Sequence, residues 1–204
     1  MNAPRPHDLL WGMPASGLPG DAPPWARDVL LDGQPVVVRR AIGNAGWVAV
    51  GLRGQGRARR LAAMMRLADI QRRQGPEALR WQAQSRWPAL QALVSVTPLL
   101  DASGLAWGPT GAVGYQIASG SQVVHAASDL DLLLYTPQPL PRAQARELLD
   151  ALDCAPCRID VQLETPAGGI ALREWAGLGR RVLLRAAQGP RLVSDPWAAL
   201  ERAA

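Results

Sequence analysis

Lysine is absent from this 204-residue chain, and so is phenylalanine. All 22 basic residues are therefore arginines, whose planar fork suits phosphate and carboxylate oxygens. With no phenylalanine available, the eight tryptophans are expected to fill the core. No apolar run approaches the roughly 18–20 residues needed to cross a bilayer. The opening stretch MNAPRPHDLLWGMPASG has neither the basic n-region nor the continuous apolar core of a signal peptide, so the chain reads as cytoplasmic. Only two cysteines occur, Cys154 and Cys157 in CAPC. A reactive C-x-x-C draws its low thiol pKa from a following helix, whereas here a helical pattern precedes the motif and a strand pattern follows it. With no second pair, zinc has no support either, and the motif reads as a turn.

What is present suits a globular protein: 48% hydrophobic and 19% charged residues, enough chain for one large domain or two small ones. The net charge of +5 is unevenly spread. Residues 1–100 carry 13 Arg against 6 acids, and residues 101–204 carry 9 Arg against 11 acids. An arginine-rich half joined to an acid-bearing half is suited to gripping an anion and presenting a metal to it.

The local patterns alternate between strand and helix irregularly. PVVVRRAIGNAGWVAVGLRG, 35–54, predicts two short strands around a Gly/Asn turn. Leu61, Met64, Met65 and Ala68 recur at helical spacing and predict a helix over 56–74, ended by Gly75-Pro76. A second helix is expected over 85–104, with Pro98 ending or kinking it. A short strand, a Gly/Pro turn and an apolar stretch closing on Gly120, then a strand at 129–135, a helix at about 141–152 and a strand at 158–164 follow. A short helix in IALREWA and a strand pair in RRVLLRAAQGPRLVS complete the pattern. The expected class is α+β with two lobes, an Arg-rich N-terminal α+β domain over 1–82 and a second domain over 83–204.

SDLDLLL, 128–134, is the stretch that carries chemistry. Strand side chains alternate, so Asp129 and Asp131 project together while Leu130 and Leu132 enter the core. Two carboxylates that close repel unless a cation lies between them, and oxygen donors of this kind suit magnesium shared with a polyphosphate. Asp160, at the start of the strand in CRIDVQLE, completes the cluster if that strand lies beside the first. It would share the metal or take a proton from an attacking hydroxyl. The glycine turn in WGPTGA, with Gly111 and Ala112, offers backbone N–H groups to phosphate oxygens. Gly120-Ser121 leaves too few residues before Asp129 for an intervening helix, so Gly111 is the preferred turn.

A phosphate-gripping turn, a helix, then D-x-D on a strand resembles the nucleotidyltransferase superfamily that includes DNA polymerase beta. The resemblance runs through Gly111, Asp129, Asp131 and Asp160, and it implies a polymerase-beta-type fold with a mixed sheet for the second domain. Ala112 departs from the serine usual after that glycine. A narrower family is similar over nearly the whole chain, through RPHDLLW, GWVAVGLRG, WGPTGAVGYQIASG, ASDLDLLL, RIDVQLE and REWA. It is the phosphoribosyl-dephospho-CoA transferase family of malonate decarboxylase, the holo-acyl-carrier-protein synthases.

That resemblance implies transfer of a phosphoribosyl-dephospho-CoA group from triphosphoribosyl-dephospho-CoA to a serine of the decarboxylase's acyl carrier protein subunit, with loss of pyrophosphate. Asp129 and Asp131 would hold Mg2+, with Asp160 as a further ligand near the serine hydroxyl. Arg53, Arg57, Arg59 and Arg60 would hold the triphosphate or an acidic carrier surface. His125 and His7 are expected to stand outside the chemistry. No membrane or nucleic-acid partner is expected. Two rivals share the features: a nucleotidyltransferase with another small-molecule or RNA acceptor, and an Arg-rich RNA-binding protein on a non-catalytic fold.

Overall fold

The computed structural model describes residues 3–54, 56 and 58–198. Its class is α+β, as expected, built on two sheets. The first takes strands β1 (Leu9–Trp11), β2 (Val36–Val38), β3 (Trp47–Arg53), β4 (Arg60–Arg66) and β5 (Arg72–Gln74), in the order β4-β3-β2-β1-β5 and antiparallel throughout. Helix α1 (Pro24–Leu31) connects β1 to β2.

The second sheet follows helix α2 (Pro88–Ala102). It comprises β6 (Trp107–Pro109), β7 (Leu130–Tyr135), β8 (Ile159–Thr165), β9 (Gly168–Ala171), β10 (Val182–Ala186) and β11 (Gly189–Val193), in the order β11-β10-β9-β8-β7-β6. Helix α3 (Gly111–Ser119) joins β6 to β7, α4 (Arg142–Leu152) joins β7 to β8, and α5 (Leu172–Ala176) follows β9. Only β7 and β8 run parallel, because α4 carries the chain back between them; the other pairings are antiparallel.

The segment 56–74 is not the expected helix. It forms β4, a 3-10 turn at Leu67–Asp69 and β5. LAAMM, 61–65, is apolar at five successive positions and so satisfies both periods. Pairing with β3 along all seven residues decides the outcome, burying Ala63 and Met65 and leaving Arg60, Ala62 and Arg66 exposed. Pro98 does not end α2, which runs on to Ala102. The carbonyl deprived of its donor belongs to Val94, whose residue is exposed, as is Pro98, so the break falls on the solvent side of the helix.

One large core lies in the second sheet, where Leu130, Leu132, Leu134, Val161 and Leu163 meet Leu90, Leu93 and Leu100 of α2. A smaller one in the first sheet gathers Leu10, Val36, Val50, Leu52 and Met65. Trp107 is the tryptophan that buries within the large core, while Trp81, Trp87, Trp175 and Trp197 pack half-exposed against it. Between the sheets, Leu9 of β1, Leu79 and Tyr115 of α3 form a third cluster.

Polar contacts extend that seam. Arg40 grips Glu164 of β8 with its Nη1 and Nη2, and Gln162 lies 3.0 Å from the His7 ring nitrogen. Burial holds the His7 ring below its ordinary pKa. Arg5 pairs with Glu77, whose carboxylate also accepts the Tyr135 hydroxyl at 3.1 Å. Asp8 is 0% exposed; its Oδ2 accepts the Arg5 N–H at 2.7 Å and pairs with Arg73 Nε at 2.6 Å. Removing Arg73 leaves that buried carboxylate without its main counter-charge. Arg73→Ala should lose about 3 kcal/mol in urea unfolding, and the double variant with Asp8→Ala should lose less than the single one.

Candidate active site

Strand pairing assembles the site. Asp131 of β7 lies opposite Asp160 of β8 in the parallel register, and Asp129 immediately precedes β7. Each of the three offers one carboxylate oxygen, and these oxygens all lie within 4.8 Å of one another. All three residues are half-buried. The alternation of both strands sends Leu130, Leu132 and Val161 into the core and leaves the acids on the opposite face.

The crowding has an electrostatic signature. Burial, then the neighbouring charges of Asp129 and Asp160, push the Asp131 carboxyl up to about 6 from an ordinary 3.8, while Arg53 and Arg60 pull it back. Like charges at this spacing call for a cation, and three oxygen donors are the ligand set of a hard divalent ion. The residues present fit such an ion.

Gly111 opens α3 beside this cluster. Its φ is +57°, and a Cβ there would fall 1.9 Å from Asp131 Oδ2, so only glycine allows the helix start to lie this close to the carboxylate. The Thr110 N–H donates to the Asp131 carbonyl at 2.8 Å and fixes the approach. Ala112 is turned differently. It packs half-buried against the large core, so the methyl takes a structural position where a serine hydroxyl was expected to meet phosphate.

Cations reach the acids from two sides. Arg53 ends β3 and Arg60 begins β4, directly paired across a hairpin. The Arg53 guanidinium carbon lies 5.9 Å from the centroid of the buried Tyr115 ring. Arg59 is exposed on the same hairpin, and Arg57 lies outside the described residues. From the other side Arg158 donates Nε and Nη2 to Asp160 Oδ1 at 3.1 and 2.8 Å. Arg173 of α5 feels the Asp160 charge but is committed to Asp153 through two hydrogen bonds, of 2.6 and 3.2 Å.

Arg158, Arg173 and Tyr115 were not anticipated from sequence. For Arg158 the signal existed, since a residue two before Asp160 on a strand shares its face; Arg173 is brought near only by the folding of α5. His125 stays local, its Nδ1 accepting the Ala127 N–H at 3.2 Å. The two cysteines are free thiols in the turn between α4 and β8, and burial pushes the Cys157 thiol up. That direction opposes thiolate chemistry.

Two family models cover most of the chain. Residues 5–76 match the phosphoribosyl-dephospho-CoA transferase MdcG N-terminal domain, and residues 66–196 match the corresponding C-terminal domain. Among curated proteins, a phosphoribosyl-dephospho-CoA transferase of Pseudomonas putida is 78% identical over 204 residues, covering 100% of both chains. Proteins of the same name from Azotobacter vinelandii and Pseudomonas aeruginosa are 54% and 52% identical, covering 95% of this chain and 94% of each relative. No solved structure matches the chain. Among the described residues no helix is long and apolar enough to cross a membrane.

A carboxyl held high in the folded state adds stability that is complete below its ordinary pKa, here 3.8, and is lost as pH rises through about 6. At pH 8 without metal, the ionised Asp131 therefore costs the fold. Asp131→Asn should be more stable than wild type there by about 1–2 kcal/mol, after allowance for the solvent reaching this half-buried site. The gap should close at pH 4, and a divalent cation at pH 8 should raise the Tm of the wild type more than that of the variant.

Proposed function

The chain belongs to the phosphoribosyl-dephospho-CoA transferase family, and on that premise we propose that it moves phosphoribosyl-dephospho-CoA from triphosphoribosyl-dephospho-CoA onto a serine of the apo acyl carrier protein subunit of malonate decarboxylase. That the protein is a transferase follows from the family. The observation that carries it is the convergence of Asp129, Asp131 and Asp160 beside an arginine hairpin. A site of that make-up suits displacement at phosphorus by an oxygen nucleophile.

In this reading residues 83–204 form a nucleotidyltransferase domain of polymerase-beta type, and residues 1–82 an arginine-rich domain that helps to hold the donor. The order β6, Gly111 turn, α3, then Asp129 and Asp131 at the mouth of β7 supports the fold assignment. Asp129, Asp131 and Asp160 are the residues that would hold Mg2+, which when bound supplies charge neutralisation to the triphosphate. The serine hydroxyl attacks the phosphorus attached to the ribose; a new ester bond forms as the bond to pyrophosphate breaks. Asp160 lies beside that hydroxyl as a ligand to the ion, and the hydroxyl proton passes to water.

Arg53 and Arg60 face the same acids from the first sheet and bear on the departing pyrophosphate; Arg57, outside the described residues, is assigned as a further donor. Gly111 and Ala112 present the first backbone N–H groups of α3 to a phosphate oxygen. Fixed charges of this kind lower the barrier by positioning and by stabilising developing negative charge. The large arginine excess of residues 1–100 serves two ends. Arg5, Arg40 and Arg73 are spent on the seam, and Arg66 and Arg72 lie over Trp47 and Trp11, while the hairpin arginines are assigned to the anion.

Incubation of the protein with apo carrier subunit, triphosphoribosyl-dephospho-CoA and Mg2+ should add the prosthetic-group mass to one carrier serine and release one pyrophosphate. No mass gain with the wild type would sink the assignment of donor and acceptor. Asp129→Asn should abolish transfer while leaving the circular dichroism spectrum and Tm close to wild type. Arg60→Ala should raise the KM for the donor about tenfold, the loss of one charge-assisted hydrogen bond to phosphate.

A further inference from the structure

Arg158 raises a question that the charge pattern alone does not answer. Its side chain is 72% exposed, and an exposed arginine on a neighbouring carboxylate usually contributes little to stability. Yet its main chain is tied to the site: the Leu130 N–H, between Asp129 and Asp131, donates to the Arg158 carbonyl at 3.0 Å. Its guanidinium places both Nε and Nη2 on one oxygen, Asp160 Oδ1, rather than spanning the two. The contacts within the described residues leave Asp160 Oδ2 without a hydrogen bond.

Resting on the metal reading of the site given above, we propose that Arg158 is a positioning residue for Asp160. By occupying Oδ1 with two donors, it locks the carboxylate rotamer and reserves the second oxygen for the divalent cation shared with Asp129 and Asp131. The backbone bond from Leu130 makes that placement part of the β7–β8 pairing, so the orientation of the third acid is set by the strand that carries the other two. Outer partners that orient ligating carboxylates act in this way on metal affinity. Arg173 cannot take over the task, because both of its bonds go to Asp153.

Positioning and simple electrostatics act on metal affinity with opposite sign. Arg158 is a cation beside a cation site, so a purely Coulombic role means that its removal tightens metal binding. A positioning role means that removal weakens it. The full-length protein is titrated with Mn2+, without nucleotide, and bound ion is counted by electron paramagnetic resonance for wild type, Arg158→Ala, Arg158→Lys and Asp131→Asn. Binding by Arg158→Ala about tenfold weaker than wild type, with partial recovery in Arg158→Lys and unchanged Tm, supports the proposal. Equal or tighter binding by Arg158→Ala, with wild-type binding intact and lost in Asp131→Asn, overturns it while leaving the metal reading standing. Wild-type binding that is absent or indifferent to Asp131→Asn overturns both.

Discussion

Mutual repulsion among three carboxylates is the constraint around which the rest of this molecule is arranged. Oxygens of Asp129, Asp131 and Asp160 lie within 4.8 Å of one another, a spacing that a folded chain does not keep without compensation. The compensation comes from several directions. Arg53 and Arg60 act from the first sheet, Arg158 from the residue just before the strand that bears Asp160, and the positive end of α3 from Gly111. The apolar partners of the acids, Leu130, Leu132 and Val161, anchor the two strands in the largest core, so the acids cannot simply drift apart.

The seam between the sheets carries the second requirement, which is alignment. Arg53 and Arg60 belong to a hairpin of the first sheet, whereas every acid belongs to the second. Their relation depends on contacts laid along the same face of β7 and β8 that bears Asp131 and Asp160: Gln162 against His7, Glu164 against Arg40, and Tyr135 beneath Arg5. Asp8, between Arg5 and Arg73, stiffens the segment from which His7 reaches across. Polar groups at that seam are directional, so they set orientation as well as adhesion.

The acid cluster was legible because a period of two is unambiguous when polar and apolar residues alternate, as in SDLDLLL and CRIDVQLE. The parallel pairing that brings Asp160 opposite Asp131 depends on a crossover between the strands, which α4 supplies. By contrast LAAMM is apolar at every position, so its period cannot be read, and only the presence of β3 makes it a strand. The roles of Arg5, His7 and Asp8 were hidden for another reason. Their partners Glu77, Gln162 and Arg73 lie between 65 and 155 positions away in the chain, and no local pattern encodes such pairings.

The placement of cations and acids on different sheets also bears on how the protein is made. Ribosomes deliver the arginines of the hairpin before Asp129, Asp131 and Asp160, so these cations are already on the chain when the acids emerge. The order of synthesis thus never leaves the three acids on a polypeptide that lacks their counter-charges.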